Sequence, residues 1–397
     1  LLRMGAWDKT GAVRGTLSGS LFNWNGKRMG EAQKEVDYDE NPFRPEVRAI
    51  VERECKAWVE KSRAYAHLCY NLGDECGFSV EAGYGKSDEK IFPQFLERKY
   101  GTIANYNAIR GTNYTSFAQV PHKKLKDARE QDDTQSWFDQ IQYAERIYAE
   151  AMRMHRDSIL KIEPKARVGA EGSSPGDLEE TVRGLKFWGP YKSKIQNEVL
   201  REIVEPDVLR GIWWGGYVNG SLRDGYPVGQ WEYVLTGTCN ADQWFTIAPG
   251  QAESGISGDL QLAPYVKLYL PHLKELRRGL AQLMIHVPMR PDPIALYYSH
   301  PSERIASQDD ACPPPSDALA DLIRFCYLHG FDVKMVTPRT LAKLQGCKAL
   351  FLASDTALGD AEVAALEKFA KGGGRIASNV ANVGVSEPCP VFSTLIR

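Results

Sequence analysis

Apolar positions along this chain keep two rhythms, and the places where one gives way to the other mark its elements. Between Pro45 and Lys61, Val47, Ile50, Val51, Cys55, Trp58 and Val59 recur at helical spacing with charges between them. The compact run of Tyr65, Ala66, Leu68, Cys69 and Tyr70 instead predicts a buried strand, which breaks at once into Asn71, Gly73, Asp74, Glu75 and Gly77. A short helix is expected over Phe92–Tyr100, stopped at Gly101. A long one follows over Ser136–Ile162, with Ile141, Ala144, Tyr148, Ala151, Met152, His155 and Ile159 on one face and Pro164 beyond its end.

Strands and helices then alternate. ARVGAEG reads as a strand ending at Glu171, GDLEETVRGL as a helix and KFWGPY as a strand; KIQNEVLREIV is a helix stopped by Pro206. LRGIWWGGY is a strand, WEYVLTGT a helix and ADQWFTIA a strand. Such alternation predicts a parallel sheet or barrel, and the polar or aromatic cluster closing each strand suggests a functional rim at the strands' C-terminal ends. Near Pro288–Pro293 the composition turns proline-rich. Beyond lies a smaller unit: strand IALYYS, helix SDALADLIRFCYLHG, strands FDVKMVT and KALFLAS, helix DAEVAALEKFAKGGG and strand RIASNV. Gly330 and Gly372 stand where helices stop, and the GGG run has neither the lysine nor the following helix of a phosphate loop. The expected fold class is therefore α/β, a (β/α)8 TIM-type barrel over residues 1–287 and a flavodoxin-like α/β domain over 288–397.

Composition narrows the partners. With 397 residues and a net charge of −2, the chain offers no electrostatic case for nucleic acid or an anionic membrane. No apolar run approaches the roughly 20 residues that span a bilayer. The eight cysteines form no CxxC pair and several lie in apolar segments, which predicts free buried thiols and leans towards a reducing compartment. The seven histidines show no HxH or HExxH spacing, so neither a metal nor another cofactor is expected. The nine tryptophans and 18 tyrosines gather near loops, at Trp213, Trp214, Tyr217, Trp231, Tyr233 and Trp244. Aromatic faces among polar groups suit sugar rings, though filling core is the other use of tryptophan.

Glu75 is the first candidate for chemistry. A carboxyl just past a buried parallel strand lies where α/β proteins build active sites, and partial desolvation there lets it donate a proton near neutral pH. A solvated acidic turn is the plainer alternative.

The order of these pieces resembles the clan A glycoside hydrolase barrels, and most of all the family 42 β-galactosidases. The resemblance covers roughly residues 40–397 and rests on Phe92–Val120, FPQFLERKYGTIANYNAIRGTNYTSFAQV. There a helix with leucine and tyrosine leads to an Asn-x-x-x-Gly-Thr turn carried by Asn107, Gly111 and Thr112. It implies that Glu75 is the acid/base glutamate after the fourth barrel strand, with Asp74 in place of the usual asparagine. An ionised Asp74 could accept a bond from a sugar hydroxyl but not donate one. The family's nucleophile closes the seventh strand, and the matching RGIWWGGY carries no carboxylate. Glu171 is the leading substitute and Glu232 the next; Asp242 and Asp224 are weaker. A structural role for Glu171 stays equally open. Carboxyl oxygens about 5–5.5 Å apart would imply retention, and about 6.5–9.5 Å inversion.

The reading that follows is a glycosidase acting on a carbohydrate, with Asn71, Asp74, Tyr191, Trp213, Trp214 and Tyr217 around the sugar. The resemblance extends to a glutamine-amidotransferase-like trimerisation domain from Ile294 on, implying a homo-oligomer. Residues 1–60 are too few for three β/α units, so the first barrel strands are expected to lie outside this chain, and both ends read as those of a fragment. Two alternatives remain. One is a carbohydrate-binding barrel that has lost its nucleophile. The other is a working amidotransferase, for which FLASDT offers Ser354 and Asp355 where a cysteine is needed, Cys347 lying before the strand.

Overall fold

A computed structural model describes residues 34–65 (except 38), 69–73, 76–190 (except 81, 132 and 173), 193–214 and 240–243. It describes 259–287 with several gaps, then 291–307 and 314–379 (except 356). The chain divides into two units, Leu1–Gly189 and Pro190–Arg397.

In the first unit, helix α1 (Pro45–Ser62) starts on a proline that has no N–H to lose, and buries Val47, Ile50, Val51, Cys55 and Val59 along one stripe. That stripe packs on the long helix of this unit. The strand expected from Tyr65 is shorter than its apolar run: Arg63–Tyr65 form a 3-10 turn after α1, and β1 is only Tyr70–Asn71. The reason lies in the partner. Among the described residues, pairing begins where Tyr70 meets Val168, and a strand needs such a ladder to satisfy its backbone.

Helix α2 (Asp88–Tyr100) ends at Gly101, whose φ of 76° suits glycine. Helices α3 (Ile103–Arg110) and α4 (Leu125–Glu130) lie where the sequence pattern showed none. The long helix α5 (Thr134–Leu160) is capped by the Asp133 carboxylate, which accepts from the Ser136 N–H at 3.1 Å. Asp139 on α5 is 1% exposed and needs partners, which arrive as Lys99 (2.6 Å), the Tyr100 hydroxyl (2.7 Å) and Arg110 (2.7 Å). The Phe92–Val120 region is thus tied to the long helix, around a core of Phe92, Leu96, Tyr106, Val120 and Tyr143. Strand β2 (Val168–Glu171), helix α6 (Leu178–Val182) and strand β3 (Phe187–Gly189) follow. β1, β2 and β3 are parallel, and β2 is buried at every position.

The second unit opens with helix α7 (Lys194–Ile203) and the parallel pair β4 (Leu209–Trp214) and β5 (Asn240–Gln243). Helix α8 (Pro264–Glu275), which has Pro271 in its middle and no counterpart among the expected elements, comes next. A second sheet then forms from β6 (Ile294–Tyr297), β7 (Lys334–Val336), β8 (Ala349–Leu352) and β9 (Arg375–Ser378), all parallel in the order β7-β6-β8-β9. Helices α9 (His300–Ala306), α10 (Pro315–Leu328) and α11 (Asp360–Lys371) connect its strands. Ala295, Tyr297, Val336, Leu350, Leu352, Leu366 and Ile376 make one of its cores. Gly372 closes α11 as expected.

Candidate active site

Glu171 is the last residue of β2 and is 2% exposed. Its backbone is held on the side of β1: its N–H donates to the Gly73 carbonyl at 3.0 Å, and its carbonyl accepts from the Cys76 N–H at 2.8 Å. An unbroken parallel ladder leaves one residue between such an acceptor and donor. Here two intervene, Asp74 and Glu75, so the regular ladder is interrupted at Glu171. Pairing resumes beyond it, with Gly77 bridging Ser174 and the Phe78 N–H donating to the Ser174 carbonyl at 3.0 Å.

Two glycines make room for this clasp. A Cβ on Gly172 would fall 1.8 Å from the Cys76 carbonyl oxygen, and one on Gly189 would fall 2.9 Å from Cγ of Glu171. The Glu171 side chain accepts a hydrogen bond at Oε1 from Nδ2 of Asn71. Asn71, 3% exposed on β1, has its Oδ1 engaged by the Gly73 N–H at 3.1 Å. Beneath them the Tyr70 hydroxyl bonds Glu163, and burial, with that carboxylate's help, pushes the Tyr70 hydroxyl up. On α5, burial raises the Tyr148 hydroxyl far above its ordinary value, with the Cys76 thiol beside it.

Of the expected site residues, Asn71 and Glu171 are therefore brought together. Asp74, Glu75, Tyr191, Tyr217 and Glu232 lie outside the described residues, as does Asp224. Trp213 and Trp214 end β4, and Asp242 lies on β5, but their side chains are outside what is described. His155 is 1% exposed, and its Nδ1 lies 2.8 Å from the Ala151 carbonyl: a packed core histidine. Cys55, Cys69, Cys76, Cys326 and Cys347 are free thiols. No group of metal-binding side chains occurs among the described residues, and no helix among them is long and apolar enough to cross a membrane. Asn71's bond to Glu171, and the clearance at Gly172 and Gly189, had no signal in the sequence beyond glycines near a strand end.

Parallel strands joined through helices are the pieces of a TIM-type barrel, and solved structures share this fold. The β-galactosidase from the psychrophilic Marinomonas ef1 is similar over 99% of this chain and 66% of its own, with a TM-score of 0.61 and 15% identity. The family 42 exo-carrageenase from Bacteroides ovatus matches 92% of this chain and 57% of its own (TM-score 0.68, 14% identity). The β-galactosidase from Bacillus circulans sp. alkalophilus matches 85% and 55% (TM-score 0.64, 14% identity). The fold is that of the family 42 β-galactosidases, and the chain spans between about half and two thirds of the length of these structures. No family model matches the chain, and no curated protein matches its sequence.

Proposed function

We propose that this protein is a glycoside hydrolase in which Glu75 is the general acid/base and Glu171 the second carboxylate. The observation that carries this reading is the clasp on Glu171. Its backbone bonds to Gly73 and Cys76, the residues flanking Asp74 and Glu75, in a fold shared with β-galactosidases. Glu75 protonates the glycosidic oxygen as the bond breaks, while Glu171 attacks the anomeric carbon or activates water. Trp213, Trp214, Tyr217 and Tyr191 supply stacking faces for the sugar, and Asp74 accepts from one of its hydroxyls. A β-galactoside is the first substrate to test, since two of the three neighbours above are β-galactosidases. Residues 288–397 form a flavodoxin-like domain that carries homo-oligomer contacts.

The test is kinetic. Glu75→Gln should abolish turnover of alkyl galactosides while sparing galactosides with an activated aryl leaving group, which need no protonation. Equal loss on both contradicts the acid role. Binding without turnover by the unaltered protein would favour a carbohydrate-binding barrel, the reading suggested by the lack of a carboxylate in RGIWWGGY.

A further inference from the structure

We infer that Asn71 is a positioning residue that fixes the rotamer and the ionisation of Glu171, and is not a sugar contact. The inference rests on the reading of Glu171 as a functional carboxylate, and it is argued from the backbone up. Asn71 pairs with Gly169, two residues before Glu171 on the neighbouring parallel strand. Side chains of paired residues, and of residues two apart, share a face of the sheet, so Asn71 and Glu171 face the same way. Gly169, the residue opposite Asn71, has no side chain on that face.

The amide cannot turn over. Its oxygen accepts from the Gly73 N–H at 3.1 Å, which leaves its NH2 as the end presented to Glu171 Oε1. A donor locked by a backbone bond favours the charged carboxylate over the protonated acid. At 3% exposure, with both ends of the amide engaged inside the protein, Asn71 has little left to offer a ligand. The titratable side chains near β2 include Tyr70 on β1, Cys76 on the clasp, and Tyr148, His155 and the buried Glu145 on α5, and every variant keeps them. Burial raises both tyrosine hydroxyls, so they stay uncharged through the range of the test. Asp74 and Glu75 follow in the chain and are common to all variants.

The experiment compares Asn71→Ala and Asn71→Asp with the unaltered protein, each also in a Glu171→Gln background. Two measurements are made between pH 4 and 9: the urea midpoint, and kcat and KM on an aryl galactoside. Losing the donor, or adding a second carboxylate, raises the Glu171 pKa in the folded state. Each variant should then lose stability relative to the unaltered protein as pH rises above the ordinary glutamate value, more so for the aspartate. For the alanine variant the Glu171→Gln background should remove that pH dependence, which a merely structural role for Asn71 would not do, whereas the aspartate variant keeps the titration of its own new carboxyl. In the activity arm the acidic limb of kcat/KM should move up by about one pH unit in the alanine variant, about a tenfold loss at the lower pH values, with KM little changed. Stability differences independent of pH, or a raised KM with an unmoved limb, overturn the inference. If Glu171→Gln alone leaves turnover intact, the catalytic reading of Glu171 fails, while the stability profiles still decide the role of Asn71.

Discussion

The carbonyl oxygen of Cys76 occupies the space beside Gly172 so closely that a Cβ there would meet it at 1.8 Å. The clash would be with backbone, so no side-chain rotation can relieve it. Gly172→Ala should unclasp the segment after β1 from the end of β2, at a cost of about 1–3 kcal/mol typical of overpacking. Thermal unfolding should show the lowered midpoint. Turnover should fall further than stability does, because the bonds from Gly73 and Cys76 to Glu171 are those displaced. An alanine variant with unaltered unfolding would mean that the clasp contributes nothing.

Helix α7 is fastened to the second sheet by buried charge. Glu198, wholly buried, accepts from the Tyr327 hydroxyl at 2.6 Å and pairs with Arg201 at 2.9 Å. Arg201 in turn pairs with Asp332 at 2.9 Å and donates to the Val333 carbonyl. Burial pushes the Glu198 carboxyl up, and Arg201 pulls it back towards the charged form. Arg201→Met leaves a buried carboxylate without its cation, a loss of about 3–5 kcal/mol. The double replacement Glu198→Leu with Arg201→Met should recover the part that comes from stranding Glu198, although Asp332 still loses its arginine. Urea midpoints measure both, and hydrogen exchange of the α7 amides should quicken in the single variant alone.

Much of this was legible in the chain because periodicity is a local property. The face of α5 was readable from Ile141 to Ile159, and the small sheet from four short apolar runs, each set off by glycine or proline. What failed locally was decided by partners elsewhere. Tyr65 belongs to a 3-10 turn after α1, whereas Tyr70 meets Val168. Helix α3 is short, and its signals, Thr102 as N-cap and left-handed Gly111, look like an ordinary turn. Within the site, Glu171 could be named from its place at a strand end. Its bond to Asn71, 100 residues away, could not, because nothing in the sequence sets the register of β1 on β2.

Asp355, just past β8, gives the second unit a pH dependence of definite sign. It is 5% exposed, and burial raises its carboxyl well above the ordinary aspartate value. Glu303 on α9 and Glu362 on α11 add to the rise, while the backbone N–H groups of Ala353 and Ser299 oppose it. The folded state therefore holds a proton that the unfolded chain releases near pH 4. Stability is fully present below that pH and declines as pH rises towards the folded value, by up to about 1.4 kcal/mol per unit. Asp355→Asn keeps the shape and removes the titration, so its advantage over the unaltered protein should grow from pH 4 upwards. Glu303 is also raised by burial, and it is present in both proteins. Urea midpoints of the two proteins at successive pH values check this. Parallel profiles would show that Asp355 is ionised in the folded protein, and that its surroundings solvate the charge better than its burial implies.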